Sequence, residues 1–137
     1  MSQTAAPLLD ASRRVVASAL VVDDDAFMLE FLRDMLDELG VREVRTARGC
    51  QEAIRSLDGT MPEVVLCDLN MPGRDGFLFM EDLASRRFAG TVIVVSGMDA
   101  RTMNSAALMG RFHRLKIGGT VSKPVTREAL AAALSKS

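Results

Sequence analysis

Short aliphatic runs alternate along this 137-residue chain with segments whose apolar residues recur at helical spacing. Runs rich in Val, Ile and Leu are typical of β-strands. Five such runs occupy residues 15–22, 42–47, 63–69, 91–95 and 119–122. Three of them are almost continuously aliphatic, which indicates strands that are buried on both faces of a sheet.

Five amphipathic segments between and after these runs predict helices. They cover residues 26–39, 50–57, 76–87, 99–115 and 127–134. The apolar face predicted for the first helix consists of Phe27, Phe31, Met35 and Leu39. Gly40 is placed to end that helix, because glycine readily adopts the left-handed conformation that follows many helices. Thr126 is placed to cap the start of the last helix.

The alternation of five strands with five helices predicts an α/β fold. Its sheet is expected to be parallel, because a crossover helix is the usual connection between neighbouring parallel strands. Helices then cover both faces of the sheet, which gives a doubly wound sandwich. Since ligands of such folds bind outside the carboxyl ends of the strands, candidate functional residues are expected directly after the strand ends.

Length and charge restrict the classes of function. A chain of this length fits one domain, which we assign to residues 15–137 after a flexible N-terminal tail at residues 1–14. The chain has 17 Lys and Arg against 18 Asp and Glu, for a net charge of -1. Such a balance gives no general attraction to nucleic acid or to an anionic membrane. We therefore expect no direct nucleic-acid binding by this segment.

Hydrophobic stretches and cysteines indicate the compartment. Charged residues interrupt every apolar run before it reaches the roughly 18 residues that a membrane helix needs, and the N-terminal residues lack a secretory signal pattern. Cys67 lies inside an aliphatic run, where a free thiol packs as a small apolar side chain. With Cys50 as the second of two cysteines, no disulfide scaffold is indicated. We expect no membrane association and a cytoplasmic location.

Polar residues follow four of the five predicted strands. They are Asp23-Asp24-Asp25 after the first strand, Asp68 after the third, Ser96-Gly97 after the fourth and Lys123-Pro124 after the fifth. Carboxylates that crowd one sheet edge repel each other unless protons or a hard cation neutralise them. Mg²⁺ prefers oxygen ligands and often shares them with a phosphoryl group, so Mg²⁺, or Mn²⁺ in its place, is the expected ion.

The same edge of the sheet offers groups for phosphoryl transfer. Asp68 is the candidate nucleophile, because aspartate carboxylates form covalent aspartyl-phosphates. The Ser96 hydroxyl and the Lys123 ammonium can each hold a phosphoryl oxygen as charge shifts during transfer. The residues at the strand ends therefore predict a phosphoryl group carried on a carboxylate.

These residues resemble the receiver domains of two-component response regulators, over roughly residues 15–134. The matching segments are LVVDDD at 20–25, DLNMPGRDG at 68–76, VVSG at 94–97 and SKP at 122–124. The resemblance implies a flavodoxin-like receiver fold with the strand order 2-1-3-4-5. It implies a metal site formed by Asp23, Asp24, Asp68 and the main-chain carbonyl of Asn70. It also implies that Asp68 is the phosphoacceptor, Ser96 the switch hydroxyl and Lys123 the phosphoryl-binding ammonium.

The resemblance has further implications for partners and local geometry. A histidine kinase or a phosphotransfer protein donates the phosphoryl group, and an output domain or partner protein responds to it. A cis peptide bond is expected at Lys123-Pro124, and Gly97 corresponds to the small residue that leaves the acceptor accessible. The sequence SGMD at 96–99, followed by a long basic helix, is similar to receivers fused ahead of EAL-type cyclic-di-GMP phosphodiesterase domains. An EAL phosphodiesterase is therefore a candidate output.

Two departures from the receiver pattern concern the switch. Receivers commonly carry an aromatic residue three positions before the lysine, where this chain has Thr120, and the chain contains no Tyr or Trp. Coupling through an aromatic rotamer is therefore not expected. The interval from Ser96 to Lys123 is also longer than usual, which predicts an extended fourth helix and a remodelled signalling surface.

Several of these residues also have structural interpretations. An acidic triplet is commonly a solvated turn, and Asp25 is better placed to cap the first helix than to bind metal. The loop after Asp68 partly matches an EF-hand, but Pro72 and Phe79 stand where calcium needs an oxygen ligand. Calcium binding is therefore rejected.

Two alternative functions remain open. A small Mg²⁺-dependent phosphatase with an aspartyl nucleophile would use similar groups, but its Asp-x-Asp motif should follow the first strand and be followed by Thr or Val. The segment DDDAF at 23–27 lacks that pattern. The other alternative is a receiver-like interaction domain that works without phosphorylation. The presence of Asp23, Asp24, Asp68, Ser96 and Lys123 argues against it.

Overall fold

The computed structural model describes residues 16–97, 108 and 111–136 of the chain. The strands in this part are β1 (Ser18–Val22), β2 (Glu43–Ala47), β3 (Val64–Cys67), β4 (Thr91–Ser96) and β5 (Lys116–Ser122). The helices are α1 (Ala26–Glu38), α2 (Cys50–Ser56), a 3-10 turn (Pro72–Arg74), α3 (Asp75–Ser85) and α4 (Arg127–Ser135). None of these described helices is long and apolar enough to cross a membrane.

Two sequence predictions fall mainly outside the described residues. They are the N-terminal tail at residues 1–14 and the extended helix at residues 99–115. Within the second segment, Leu108 and Arg111 are helical, whereas residues 112–115 form a turn and bend. The predicted end of that helix at residue 115 is therefore wrong, because the chain already turns there to enter β5.

The five strands form one parallel sheet in the order β2-β1-β3-β4-β5. This confirms both the doubly wound α/β class and the strand order that the resemblance implied. Because all strands run the same way, their carboxyl ends lie at a common edge of the sheet. The order also places β1 beside β3 at the centre of the sheet, with β4 and β5 following on one side.

Side chains from alternate strand positions form two separate apolar layers, one on each face of the sheet. In β1, Leu20 and Val22 belong to one layer, and Ala19 and Val21 to the other. The first layer includes residues of α2 and α3, and the second includes residues of α1 and α4. The central strands are thus buried on both faces, as their continuous aliphatic sequences predicted.

The buried face of α1 differs in part from the predicted one, since Met35 and Leu39 pack against the core as predicted, whereas the two phenylalanines do not. Leu29, Leu32 and Leu36 are buried against the sheet, whereas Phe27 is 73% exposed and Phe31 is 37% exposed. Residues spaced by four drift about 40° around a helix at each step, whereas spacings of three and four follow its period of 3.6 residues. Leu29, Leu32 and Leu36 have spacings of three and four residues and therefore stay on the side of the helix that faces the sheet.

The caps of α1 and α4 lie at the residues that the sequence predicted. The Phe27 N–H donates to the Asp25 side chain at 2.9 Å, so Asp25 is the N-cap of α1. At the start of α4, the Ala129 N–H donates to the Thr126 hydroxyl at 3.1 Å. Gly40 follows α1 with a φ of 95°, a conformation that glycine adopts without steric cost.

Strand β5 begins three residues before the predicted position at residue 119. Val92 pairs with Ile117 and Ile93 pairs with Gly119, so Gly118 is an extra residue that forms a bulge. The sequence does not predict this part of the strand, because the consecutive residues Gly118 and Gly119 weaken the strand signal. A β-carbon on Gly118 would lie 2.4 Å from Thr91 Cγ2, so the close pairing of β4 and β5 needs a glycine there.

Candidate functional site

Three charged residues follow β1, β3 and β5 at the carboxyl edge of the sheet, and they meet there. They are Asp23, Asp68 and Lys123. The Asp23 N–H donates to the Ala47 carbonyl at 3.1 Å, and the Asp68 N–H donates to the Val22 carbonyl at 3.0 Å. These bonds continue the sheet beyond the strand ends. The backbone of both aspartates is therefore positioned by the most buried part of the fold.

The carboxylates of Asp23, Asp24 and Asp68 form an acidic cluster. One oxygen from each lies within 4.8 Å of the others. Asp23 is 1% exposed and Asp68 is 3% exposed, whereas Asp24 is exposed. Carboxylate oxygens are the ligand type that Mg²⁺ prefers, and one or two of them would suffice where water or a phosphoryl group completes its shell. The donor set therefore fits a hard divalent cation.

Lys123 bridges the two buried carboxylates. Its Nζ donates to Asp23 Oδ2 at 3.0 Å and to Asp68 Oδ2 at 3.1 Å. Burial alone would lower the pKa of this lysine, but the hydrogen bonds and the negative charges of the two carboxylates together outweigh that effect and raise its pKa. Lys123 therefore stays charged and neutralises part of the cluster. The Lys123-Pro124 peptide bond is cis, as predicted.

The Asp68 carboxylate has a hydrogen-bond donor on each oxygen. The Asn70 N–H donates to Oδ1 at 2.8 Å, and Lys123 Nζ donates to Oδ2. Burial raises the pKa of Asp68, the charge of Asp23 adds to the rise, and the two donors oppose it. The two hydrogen bonds thus fix the orientation of the ionised carboxylate, but its burial still costs free energy. A cation or a covalent partner at this position would relieve that cost.

Asp23 and Asp25 have different roles in the fold. Asp23 accepts the Asp25 N–H on Oδ1 at 2.9 Å and Lys123 on Oδ2, which holds its side chain over Asp68. The side chain of Asp25 instead caps α1. The predicted assignment of Asp25 to the helix is therefore confirmed.

Ser96 lies at the same edge of the sheet, at the end of β4. It is fully buried, it pairs in register with Ser122, and its carbonyl accepts the Lys123 N–H at 3.2 Å. Asn70 is exposed in the loop after β3. Gly97 is exposed, and a β-carbon there would have no neighbour within 4 Å. The roles of the Ser96 hydroxyl and the Asn70 carbonyl stay predictions.

Gly76 supports the loop at residues 68–71, called the acceptor loop here because it begins with the candidate acceptor Asp68. The sequence alone does not predict this role. A β-carbon at this position would lie 2.4 Å from the Asp68 carbonyl oxygen and 2.7 Å from Leu69 Cα. The first turn of α3 therefore packs directly on the backbone that carries the acceptor. The available signal was a glycine in the first turn of a helix, where better helix formers are usual.

Asp75 ties the acceptor loop to α2. Its Oδ2 accepts the Cys50 N–H at 3.1 Å, so it caps α2 from a different helix. Next to the acceptor, Cys67 is fully buried, and burial followed by the Asp68 charge raises the pKa of its thiol. The thiol therefore stays protonated, and its complete burial confirms that Cys67 packs in the core. Cys50 and Cys67 are both free cysteines.

Thr120 is exposed on β5, where receivers commonly have an aromatic residue. Aromatic rings lie instead beside the acceptor loop. Phe77 and Phe112 have ring centroids 6.4 Å apart. The Arg74 guanidinium lies 5.8 Å from the Phe77 centroid, and that of Arg111 lies 4.9 Å from it. This cluster joins the loop after Asp68 to the segment before β5.

Comparisons with known proteins agree with this geometry. The model of the family described as response regulator receiver domain matches residues 19–135. The transcriptional regulatory protein PdtaR of Mycobacterium tuberculosis is 33% identical over 90 residues, which cover 66% of this chain and 44% of that protein. Protein-glutamate methylesterase/protein-glutamine glutaminase 3 of Rhodospirillum rubrum is 31% identical over 115 residues, which cover 82% of this chain and 31% of that protein.

Solved structures share the fold. The chemotaxis protein CheY4 of Vibrio cholerae superposes with a TM-score of 0.73 at 23% identity, covering 87% of this chain and 96% of that one. At this level of identity the likeness concerns the fold alone. The chain spans less than half the length of the two curated relatives, so their complete activities do not carry over to it.

Proposed function

The chain belongs to the response regulator receiver domain family, and we propose that Asp68 is its phosphoacceptor. The observation that carries this assignment is the Asp68 carboxylate, which is 3% exposed and lies between the Lys123 ammonium and the carboxylates of Asp23 and Asp24. A nucleophile needs a fixed orientation and nearby positive charge when the incoming group is anionic. Asp68 has both.

Mg²⁺, or Mn²⁺ in its place, would be held by the Asp23, Asp24 and Asp68 carboxylates and by the Asn70 main-chain carbonyl. The bound cation would offset the negative charge of the phosphoryl oxygens. The fit rests on the cluster of carboxylate oxygens within 4.8 Å of one another. Asp24 is exposed, so its oxygens are open to solvent and to an approaching donor.

Each remaining group has a role in the transfer itself. An Asp68 carboxylate oxygen forms a bond to phosphorus while the bond from phosphorus to the donor's histidine nitrogen breaks. Lys123 Nζ, now bonded to Asp68 Oδ2 at 3.1 Å, would bind a phosphoryl oxygen. The Ser96 hydroxyl would donate to another of these oxygens. Its movement would bias a two-state surface formed by the segment before β5 and β5 itself.

The proposed donor is a histidine kinase or a phosphotransfer protein. Phe27 supports a protein donor, because it is 73% exposed in the first turn after the acidic cluster, and aromatic side chains are frequent anchors of protein contacts. The domain itself is proposed to extend over residues 15–137 and to act in the cytoplasm. The two free thiols fit a reducing compartment.

The output lies in a further domain or a partner protein. The two relatives differ in this respect, since one is named a transcriptional regulatory protein and the other a methylesterase. An EAL phosphodiesterase remains the candidate output from the pattern between Ser96 and Lys123. The chain acts as a switch that takes part in its own phosphorylation and dephosphorylation.

The test is intact mass spectrometry after incubation with acetyl phosphate and Mg²⁺. One added phosphoryl group is expected in the wild type and in Asp58→Asn, a matched change at an exposed aspartate. None is expected in Asp68→Asn or with EDTA. Continuous hydrolysis of p-nitrophenyl phosphate would favour a phosphatase instead. Absence of any addition to the folded wild type would favour an interaction domain that works without phosphorylation.

A further inference from the structure

A cavity of about 500 Å³ opens at the amino-terminal edge of the sheet, opposite the edge that carries Asp68. Its lining comes from residues that precede or begin four parallel strands, including Val16, Pro62, Val64, Phe88, Thr91 and Lys116. The volume lies in the range of small-molecule sites. The phosphoacceptor chemistry does not use this cavity.

The inner wall of the cavity is apolar, with one polar group. Val16, Val64 and Phe88 are at most 6% exposed, and Met61 is 40% exposed near them. Thr91 is 3% exposed and also lines the cavity. The wall therefore suits a mainly apolar body.

The charges around the cavity are unbalanced. Arg86 lies 2.7 Å from Asp82, and Glu63 Oε1 accepts the Ala17 N–H at 3.0 Å. Arg87 and Lys116 are exposed and pair with no other described residue, and Glu63 is the one carboxylate among the lining residues. The excess of positive charge at this apolar cavity favours a ligand that carries an anionic group.

Arg87 has a backbone conformation that ordinarily favours glycine. Its φ is 56°, and it follows Arg86, the C-cap of α3. The Arg87 N–H donates to the Ala84 carbonyl and the Phe88 N–H to the Leu83 carbonyl, both at 3.1 Å. These bonds form the usual helix-ending motif, whose left-handed residue is most often glycine. A glycine at this position would relieve the backbone strain that an arginine carries.

We propose that this cavity binds a small amphiphilic anion, namely a carboxylate or phosphate group on an apolar body. Arg87 and Lys116 bind the anionic group, Thr91 offers its hydroxyl, and the apolar body lies against Phe88 and Val16. Because the cavity and Asp68 are at opposite edges of the sheet, binding does not require phosphorylation. A failure of either assignment would leave the other intact.

The probe for this site is 8-anilinonaphthalene-1-sulfonate, an aromatic anion whose fluorescence rises in apolar surroundings. Saturable binding to the full chain is expected. Arg87→Gly and Lys116→Gln should each weaken binding about tenfold, since each removes a charge-assisted contact. Arg87→Gly also relieves the left-handed strain, so its loss of binding would not come from unfolding. Lys136→Gln, at the exposed end of α4, serves as the charge control and should leave the affinity unchanged.

Competition identifies the ligand class. Octanoate and octyl phosphate should displace the probe, and their relative potency distinguishes a carboxylate from a phosphate head group. Inorganic phosphate and octanol at the same concentrations should not displace it. The proposal is overturned by absence of saturable binding, by unchanged affinity in both cavity variants, or by displacement with phosphate or octanol alone. Loss of binding in Phe27→Ala would also overturn it, because the probe would then bind on α1.

Discussion

Lys123 Nζ lies 3.1 Å from Asp68 Oδ2 and donates a hydrogen bond to it, although 55 residues separate the two along the chain. The same ammonium lies 3.0 Å from Asp23 Oδ2. One lysine thus holds together the two buried carboxylates that follow β1 and β3. The Lys123 ammonium that stabilises these two carboxylates is the same group that is proposed to bind a phosphoryl oxygen.

Removal of this ammonium should destabilise the metal-free protein. Lys123→Met leaves two crowded carboxylates without their donor, and we expect a loss of about 1–3 kcal/mol in the free energy of unfolding. Urea denaturation in EDTA measures the loss. In saturating Mg²⁺ the loss should shrink, because a cation then offsets the same charges. An equal loss in both conditions would mean that Lys123 acts through packing alone.

The charge of Asp68 should make the metal-free protein less stable at neutral pH. The pKa of Asp68 is raised above 3.8 in the folded state, so between these two values the folded chain binds more protons than the unfolded chain. Stability therefore falls as pH rises through this window. Asp68→Asn should be more stable than the wild type at pH 7 by on the order of 1 kcal/mol, and the difference should vanish below the unfolded pKa.

Thermal unfolding in EDTA across this pH range tests the linkage. Asp58→Asn, at an exposed aspartate, is the matched control and should unfold like the wild type. A destabilised Asp68→Asn at pH 7 would show that the hydrogen bonds to the carboxylate outweigh its burial.

Gly76 should not tolerate a side chain. In Gly76→Ala the β-carbon would meet the Asp68 carbonyl oxygen, which is backbone and cannot move aside cheaply. We expect a loss of about 2 kcal/mol or more in the free energy of unfolding, together with slower phosphorylation of Asp68. Gly59→Ala is the control, since a β-carbon there has no neighbour within 4 Å. Equal stability of the two variants would contradict the close packing of α3 on the acceptor loop.

The two apolar stripes of α1 should differ sharply in their effect on stability. Leu32 is 1% exposed, and Leu32→Ala should cost about 2–5 kcal/mol in the free energy of unfolding. Phe27→Ala should change it by less than about 0.5 kcal/mol, because Phe27 is mostly exposed. Urea denaturation separates the two cases. A large loss in the free energy of unfolding of Phe27→Ala would show that Phe27 packs in the core, as the sequence predicted.

The carboxyl ends of β1, β2 and β5 fall at the predicted residues and β4 ends one residue later, whereas β3 ends at Cys67, two residues before its predicted end at residue 69. A continuous aliphatic run fixes a buried strand, and the first charged residue after it fixes the edge of the sheet. For this reason the sequence alone predicts that Asp23, Asp68 and Lys123 lie close together. The direction of the parallel strands then brings them to one edge, and the structure shows hydrogen bonds between them.

Other features depend on contacts that a sequence does not display. Residues 26–39 carry two overlapping apolar stripes, and packing against the sheet selects the leucines rather than Phe27 and Phe31. The start of β5 was missed because Gly118 weakens its strand signal, whereas pairing with β4 stabilises it. The support that Gly76 gives to Asp68 depends on a contact of 2.4 Å across the loop.

The most direct measurement locates the phosphoryl group within the chain. Borohydride reduces an aspartyl-phosphate to homoserine, which marks the acceptor permanently for peptide mass spectrometry. After incubation with acetyl phosphate and Mg²⁺, we predict homoserine at position 68, none elsewhere, and none when EDTA is present. Homoserine at position 23 or 24, or at no position in a protein that has gained a phosphoryl group, would contradict the assignment of Asp68 as the acceptor.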